Sequence, residues 1–374
     1  MERLIWSDMK IYVGIADKMS VDVWEVNHFF QPIGLPLIIL FLKQHTPDWV
    51  WSLGVLHCCL SFLTLVFMWK AAEESFGFTT GLISLLIASV HLPWIYMNIL
   101  ALPETIFTFL LSVCAWLTGR IVRRARFMAP LSALWGLCFI LAFWLKGTHA
   151  LWGPLLVMGL FLNSKRQALM PVLALVIPVA AGLALHGAFT YAKIGKVQFS
   201  ASNSGLNFVE GKCFYKRNSD TAGFTWFSPL YYQLDLKEPK QWDRPFTDTN
   251  YYWGQGLACI QRSPFVLFQS VENIAYLFFG NTSWPLNGLP RASKIRLYEL
   301  FFSVFLICGM VVTARDSFRR FDPGNFLIWG LPVLALFVCV YVFKSEMRYR
   351  LPFDIWFIPL SVLGWRSLLK RPDC

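Results

Sequence analysis

"FLIWGLPVLALFVCVYVFKSEMRYRLPFDIWFIPLSVL", residues 326–363, contains two apolar runs separated by a short charged segment. Lys344, Glu346, Arg348 and Arg350 all lie in that segment. A charged side chain inside a bilayer costs roughly 2.5–3.5 kcal/mol on insertion scales. The pattern therefore predicts two membrane helices joined by a charged connection at the membrane surface.

The rest of the chain has the same character. Of its 374 residues, 56% are hydrophobic and 15% are charged, against about 25% charged in soluble domains. Nine apolar runs are candidate spans: 50–69, 78–97, 104–119, 129–145, 150–162, 168–190, 297–314, 325–343 and 353–367. The formal charge of +11 comes from basic clusters between these runs, as the positive-inside rule requires, and not from a nucleic-acid-binding face. These features predict an all-α polytopic membrane protein.

The charge rule also divides the connections between two sides of the membrane. Residues 70–74, the basic clusters at 120–126, 163–167 and 314–321, and the C-terminal tail are predicted on the cytoplasmic side, and residues 1–49, 91–104, 145–149, 191–296 and 344–352 on the opposite side. Three regions follow: 1–190, with membrane helices and catalytic loops; 191–296, an external aromatic-rich region; and 297–374, a C-terminal membrane region with the RYRLP loop. This parity places the N-terminus outside without a spanning segment before it, so we expect that a first helix is missing from the chain.

The external region contains two cysteines, Cys213 and Cys259. An oxidising compartment favours pairing them, so a disulfide bond is predicted. No CxxC motif or His/Cys cluster indicates a zinc site. The sequence implies no cofactor, although it does not exclude a divalent metal.

Two acidic residues at predicted membrane boundaries are candidate catalytic groups. Asp8 shares a helical face with Tyr12 by i, i+4 spacing, although Asp is also a common helix N-cap. Glu104 follows Pro103 at a helix start, where an acid also complements the helix dipole. An ionisable group beside an apolar run is equally a functional candidate.

Cationic candidates lie in two turns on the same predicted side. Lys146 falls in the hairpin "LKGTH", where a lysine can simply extend to the interface. Leu351 precedes a proline and is biased towards extended backbone, so Arg348 and Arg350 are expected in an extended segment, converging on one anion. A topological anchor would also use arginines, but with a cytoplasmic bias. Tyr12, His149 and Tyr349 complete the substrate-binding candidates.

Six segments occur in an order that resembles a known family: "SDMKIYVGIADKM" (7–19), "FFQPIGLPLIILFL" (29–42), "LPETIFTFLLSVCAWL" (102–117), "GLCFILAFWLKGTHALWGPLL" (136–156), "SNSGLNFVEGKC" (202–213) and "EMRYRLPFDIWFIPLSVLGW" (346–365). The series resembles the GT-C superfamily of membrane glycosyltransferases, in the branch of protein mannosyltransferases and the bacterial lipid A aminoarabinose transferase. Each motif is loose, and the ordered set covers nearly the whole chain.

The resemblance implies a polyprenyl-phosphate sugar donor, a lipid, glycan or protein acceptor, and a site on the periplasmic or exterior face of a bacterial inner membrane. It implies an acceptor-side acid at Asp8, a second acid at Glu104, and donor-phosphate contacts at Lys146 and the RYRLP arginines. Met9 stands where many relatives carry a second acid, which weakens the case for a metal in this loop.

Two other function classes are compatible with the residues. A transporter or flippase of polyprenyl-linked sugars would need the same cations, but no internal repeat or pair of broken helices stands out. A membrane acyltransferase could use His149, although no supporting constellation accompanies it.

Overall fold

The computed structural model describes residues 8–21, 24–123, 128–164, 168–213, 247–279, 292–319 and 322–369, and these contain no β-strand. The α-helices, in chain order, are α1 Asp8–Ser20, α2 Gly34–His45, α3 Trp49–Phe76, α4 Phe78–Ser89, α5 Leu92–Met97, α6 Glu104–Arg123, α7 Met128–Leu145, α8 Trp152–Ser164, α9 Leu169–Ile194, α10 Ser204–Lys212, α11 Thr249–Arg262, α12 Val266–Gln269, α13 Val271–Phe279, α14 Ala292–Arg319, α15 Pro323–Val342, α16 Met347–Arg350 and α17 Asp354–Leu369. Helix α15 includes a π segment, Phe326–Gly330. The prediction of an all-α membrane protein is confirmed.

Six of the described helices are long and apolar enough to cross a membrane, namely α3, α6, α7, α9, α14 and α15. The other three predicted spans correspond to shorter helices. Residues 78–97 are divided between α4 and α5 because the backbone is extended at His91 and Pro93 begins the next helix. Helices α8 and α17 have 13 and 16 residues, against about 20 for a perpendicular span. The count of nine spans stays a prediction.

Helix α6 lies at the centre of the bundle, and 72% of its most apolar 18-residue stretch is buried. It packs against α3 and α7, and its first and last residues define two ends of the molecule. At 1.5 Å per residue, its 20 residues separate those ends by about 30 Å. Glu104 therefore lies a full helix length from Arg123.

The basic end of α6 gathers groups from three segments. Arg120 pairs with Glu74. Arg123 donates to Ser75 Oγ at 2.8 Å and to Asn325 Oδ1 at 2.9 Å. These contacts bring the ends of α3 and α6 and the start of α15 together, so residues 70–74 and 120–123 lie at one end of the bundle; that this end is cytoplasmic stays a prediction. Residues 124–126 of the 120–126 cluster and residues 165–167 of the 163–167 cluster lie outside the described residues.

Helices α14 and α17 approach closely because glycines face each other. A Cβ atom at Gly364 would overlap the carbonyl oxygen of Gly309. Thr313 Oγ1 donates to the Leu360 carbonyl at 2.6 Å across the same contact. Small residues and interhelical hydrogen bonds of this kind are typical of membrane helix pairs. This packing holds α17, and the charged segment before it, against the bundle.

Part of the predicted external region forms a small unit beside the bundle. The predicted disulfide bond between Cys213 and Cys259 is confirmed, and it joins the end of α10 to α11. The Lys344 backbone N–H donates to the Asn207 carbonyl at 3.2 Å, which ties α10 to the chain leaving α15. Residues 214–246 and 280–291 of this region lie outside the described residues.

Candidate functional site

One cavity, at the end of the bundle where α6 begins, contains most of the candidate residues. Its volume is about 480 Å³, within the range of small-molecule sites. Six of the eight candidates line it: Asp8, Tyr12, Glu104, Lys146, Arg348 and Tyr349. They come from four segments, and Asp8 and Arg348, which are hydrogen-bonded, are 340 residues apart along the chain. The fold thus brings together side chains that could be identified from the sequence only as separate candidates.

Arg348 is the centre of the charges in this cavity. Its Nη1 donates to Asp8 Oδ2 at 3.2 Å, and its Nε lies 3.6 Å from Glu104 Oε1 and 3.4 Å from Glu346 Oε2. Although burial lowers the pKa of Arg348, the three carboxylates raise it well above its usual value. Arg348 is therefore a permanent cation with three acidic neighbours. A phosphate group bound here would accept hydrogen bonds from the N–H groups of Arg348, which also contact the carboxylates.

Lys146 is the second cation of the site. It lies in extended backbone between α7 and the 3₁₀ turn Gly147–His149, which explains why the hairpin presents it to the cavity. Its Nζ donates to Glu104 Oε1 at 2.9 Å and lies 4.7 Å from the centre of the Tyr349 ring. Burial lowers the pKa of Lys146, and Glu104 opposes that effect. The lysine thus loses its charge at a lower pH than an exposed lysine.

Helix α1 presents Asp8 and Tyr12 on one face, as their spacing predicted. The Tyr12 hydroxyl donates to Gln31 Oε1 at 3.4 Å. Burial, together with the charges of Glu104 and Asp8, raises the pKa of Tyr12, so it remains a hydrogen-bond donor. Asn203 Nδ2 donates to the same Gln31 oxygen at 3.3 Å. Amide and hydroxyl groups therefore form the wall beside Asp8.

Glu210 and Lys344 form a further ion pair on the cavity wall, and neither was among the candidate site residues from the sequence. Lys344 Nζ lies 2.8 Å from Glu210 Oε2 and 3.5 Å from Glu346 Oε1. Burial raises the pKa of Glu210, and the positive charge of Lys344 only partly offsets that effect. The glycines and polar side chains of 204–212 predict a turn, whereas the structure has helix α10 there. A helical interpretation would have placed Asn207 and Glu210, three residues apart, on one face.

Two of the eight candidates lie outside the cavity, and the first is Arg350. Residues Met347–Arg350 are helical and Leu351–Phe353 form a 3₁₀ turn, so the predicted extended segment is wrong. In an extended chain Arg348 and Arg350 would share a face, but a helix rotates them about 200° apart. Arg350 is fully buried and pairs with Glu299, and its Nε lies 3.1 Å from Asp354 Oδ1. It does not converge with Arg348 on one anion.

His149 is the second candidate outside the cavity. It is fully buried among aromatic rings, 4.6 Å from the Phe139 ring centre and 5.1 Å from that of Phe107. Its Nε2 lies 3.1 Å from the Phe139 carbonyl oxygen. Its neighbours Gly147 and Thr148 line the cavity, while the imidazole packs into the protein. The structure therefore gives His149 a packing role in the turn that carries Lys146.

The arrangement can bind an anion and accept a proton in one place. Lys146 and Arg348 supply donors for phosphate oxygens, and Asp8 supplies a carboxylate next to hydroxyl and amide groups. Among the described residues, no group of three or more His, Cys, Asp and Glu side chains is arranged to hold a metal ion. No protein-family model matches the sequence, and no curated protein is significantly similar to it.

Proposed function

We propose that this protein is an integral membrane glycosyltransferase of the GT-C type, with the bundle of about nine membrane helices that the resemblance implies. It transfers a sugar from a polyprenyl-phosphate donor to a lipid, glycan or protein acceptor on the periplasmic or exterior side of a bacterial inner membrane. The observation that carries this proposal is the shared cavity of Asp8, Glu104, Lys146 and Arg348. The order of sequence motifs supplies the family expectation.

In this proposal, the donor phosphate binds between Lys146 and Arg348. The acceptor hydroxyl oxygen attacks the anomeric carbon, the carbon–oxygen bond to phosphate breaks, and the electron pair goes to the phosphate oxygen. The two cations stabilise that negative charge, and such preorganised stabilisation is a large catalytic term. Attack from the face opposite the phosphate inverts the anomeric centre. Polyprenyl phosphate and the glycosylated acceptor are the products.

Asp8 takes the proton from the acceptor hydroxyl. Its Oδ2 is held by Arg348, which orients the carboxylate and leaves Oδ1 without a hydrogen bond among the described residues. Gln31, Asn203 and Asn207 line the same part of the cavity, and their amides suit the hydroxyl groups of an acceptor or sugar. Glu104 Oε1 contacts both Lys146 and Arg348, and so keeps the two cations next to each other. Tyr349 supports the ammonium group of Lys146 through its ring.

The decisive experiment compares Asp8→Asn with Asp17→Asn in purified protein. Both aspartates lie on α1, but Asp17 is exposed outside the cavity and pairs with Lys43. The protein is incubated with a panel of polyprenyl-phosphate sugars, and released polyprenyl phosphate is measured. We expect Asp8→Asn to lower turnover by roughly 10²-fold or more without loss of donor binding, and Asp17→Asn to have wild-type activity.

The same experiment tests a flippase. A flippase would move the lipid across the bilayer of proteoliposomes without releasing polyprenyl phosphate. Because a flippase breaks no covalent bond, Asp8→Asn would have no bond-breaking step to affect. Full sugar transfer by the Asp8→Asn protein would overturn the assignment of Asp8. Movement of intact donor by the wild-type protein, with no transfer to any acceptor, would favour the flippase instead.

A further inference from the structure

Glu104 lines two cavities, and its two carboxylate oxygens have different surroundings. Oε1 accepts a hydrogen bond from Lys146 and lies near Arg348, in the large cavity. Oε2 is buried and accepts no hydrogen bond from any residue that the structure describes. Buried polar atoms nearly always have a partner, and a carboxylate oxygen is among the costliest to leave without one. The missing partner of Oε2 needs a physical explanation.

A second, smaller cavity that Glu104 also lines has a volume of about 20 Å³. Five of its nine lining residues carry a hydroxyl or an amide: Ser61, Thr64, Asn98, Thr105 and Thr108. Asn98 Oδ1 accepts hydrogen bonds from Ser61 Oγ at 2.7 Å and from Thr105 Oγ1 at 3.2 Å. These bonds fix the Asn98 amide and leave its Nδ2 group without an acceptor among the described residues.

The volume of the cavity, together with the buried Glu104 Oε2 atom that lacks a partner, matches one ligand. A buried water needs roughly 10–15 Å³ and two to four polar partners, so this cavity suits a single water and no larger molecule. We propose that the small cavity is a water-binding site, in which one water donates a hydrogen bond to Glu104 Oε2 and accepts one from Asn98 Nδ2. The hydroxyl oxygens of Ser61 and Thr105 are within the same wall and can accept the water's second proton.

This water gives Ser61 and Asn98 a role as positioning residues for Glu104. The terminal torsion of a glutamate is soft, so a carboxylate held through one oxygen can rotate. A hydrogen bond to Oε2 fixes the second oxygen and keeps Oε1 directed at Lys146 and Arg348. The meaning of this positioning for catalysis rests on the proposed function, whereas the existence of the water site does not.

The test begins with an experimental structure of the wild-type protein at a resolution that shows ordered waters. We expect one water in the small cavity, within hydrogen-bond distance of Glu104 Oε2. An empty cavity, or an Oε2 atom bound by a protein side chain, would overturn the proposal. This measurement needs no substrate, so it stands even if the protein binds no polyprenyl phosphate, a result that would count against the proposed function alone.

Variants then test the positioning role through the affinity for polyprenyl phosphate. Asn98→Leu and the milder Ser61→Ala are compared with the control Ser84→Ala. The control also removes a buried hydroxyl, one that donates a hydrogen bond to the Thr80 carbonyl within α4. We expect a two- to tenfold rise in Kd for the first two, the size of one lost hydrogen bond, and a rotated Glu104 side chain in their structures. The control should match the wild type. Unchanged Kd and an unmoved Glu104 in both variants would refute the positioning role.

Discussion

The two arginines of the RYR sequence should fail in different ways when each is changed to glutamine. Arg350 is fully buried, and the side chain of Glu299 opposite it is 1% exposed. Arg350 is the only cation that pairs with Glu299 among the described residues, and Asp354 would retain only His91. Removing one partner of a buried ion pair costs about 3–5 kcal/mol. Arg350→Gln should therefore lower the folded-to-unfolded ratio by roughly 10²- to 10⁴-fold.

Arg348→Gln should cost less stability because its acidic neighbours retain other cations. Glu104 keeps Lys146, Glu346 keeps Lys344, and Asp8 faces the cavity. We expect a loss of about 1.5–3 kcal/mol of stability, the net value of a hydrogen bond between charged groups such as Arg348 and Asp8. The affinity for polyprenyl phosphate should fall as well, because a charge-assisted contact to phosphate contributes a similar amount.

Thermal midpoints measured by size-exclusion chromatography of heated, detergent-solubilised protein separate the two outcomes. Arg315→Gln is the matched control, because Arg315 pairs with Asp316 on an exposed part of α14, where an ion pair contributes about 0–1 kcal/mol. The expected order of midpoints is Arg315→Gln above or equal to Arg348→Gln, and both above Arg350→Gln. A wild-type midpoint for Arg350→Gln, or an Arg350→Gln protein that is stable but cannot bind donor, would refute this division of roles.

Three further predictions concern other parts of the structure. Burial lowers the pKa of Lys146, so its positive charge is present below that pKa and is lost as the pH rises through it. Donor affinity should therefore decrease with rising pH, at a pH lower than the ordinary lysine pKa of 10.5. In a titration of Kd against pH, Lys146→Arg should move this decrease to higher pH. Replacing Cys213 and Cys259 with serine should lower stability by up to about 4 kcal/mol, from the 46-residue separation in the loop-entropy relation, with an unchanged midpoint contradicting it. Gly364→Ala should lower the thermal midpoint because its Cβ would meet the Gly309 carbonyl, whereas Gly54→Ala, with open space at its Cβ, should not.

The fold class could be predicted because its signal is local. Apolar runs, their lengths and the basic clusters between them indicate membrane helices without knowledge of tertiary contacts. The failures occur where length alone is ambiguous, as in residues 78–97, which the sequence treats as one span and the structure divides at His91. The disulfide bond was predictable for a different reason, since residues 191–296, the region predicted to be external, contain only two cysteines.

For the cavity, the sequence predicted several of the individual residues but not that they lie close together. Asp8 and Arg348 are far apart in the sequence, and nothing in their local context states that Oδ2 and Nη1 lie 3.2 Å apart. Glu210 was missed because its partner Lys344 lies in another segment and because 204–212 was interpreted as a turn. Pairing of charges across a fold depends on tertiary packing, and a single sequence contains no direct record of it.

Arg350 shows how a motif can combine two physical tasks. In a short helix that starts at Met347, the residues at positions 348 and 350 face opposite directions, so one arginine reaches the cavity while the other enters the bundle. The inward arginine meets Glu299 from α14 and Asp354 from α17, two helices already held together by Gly309 and Gly364. This buried ion pairing fixes the backbone from which Arg348 extends. The alternation that first suggested two equal phosphate ligands is therefore explained by one arginine that holds the turn and one that lines the cavity.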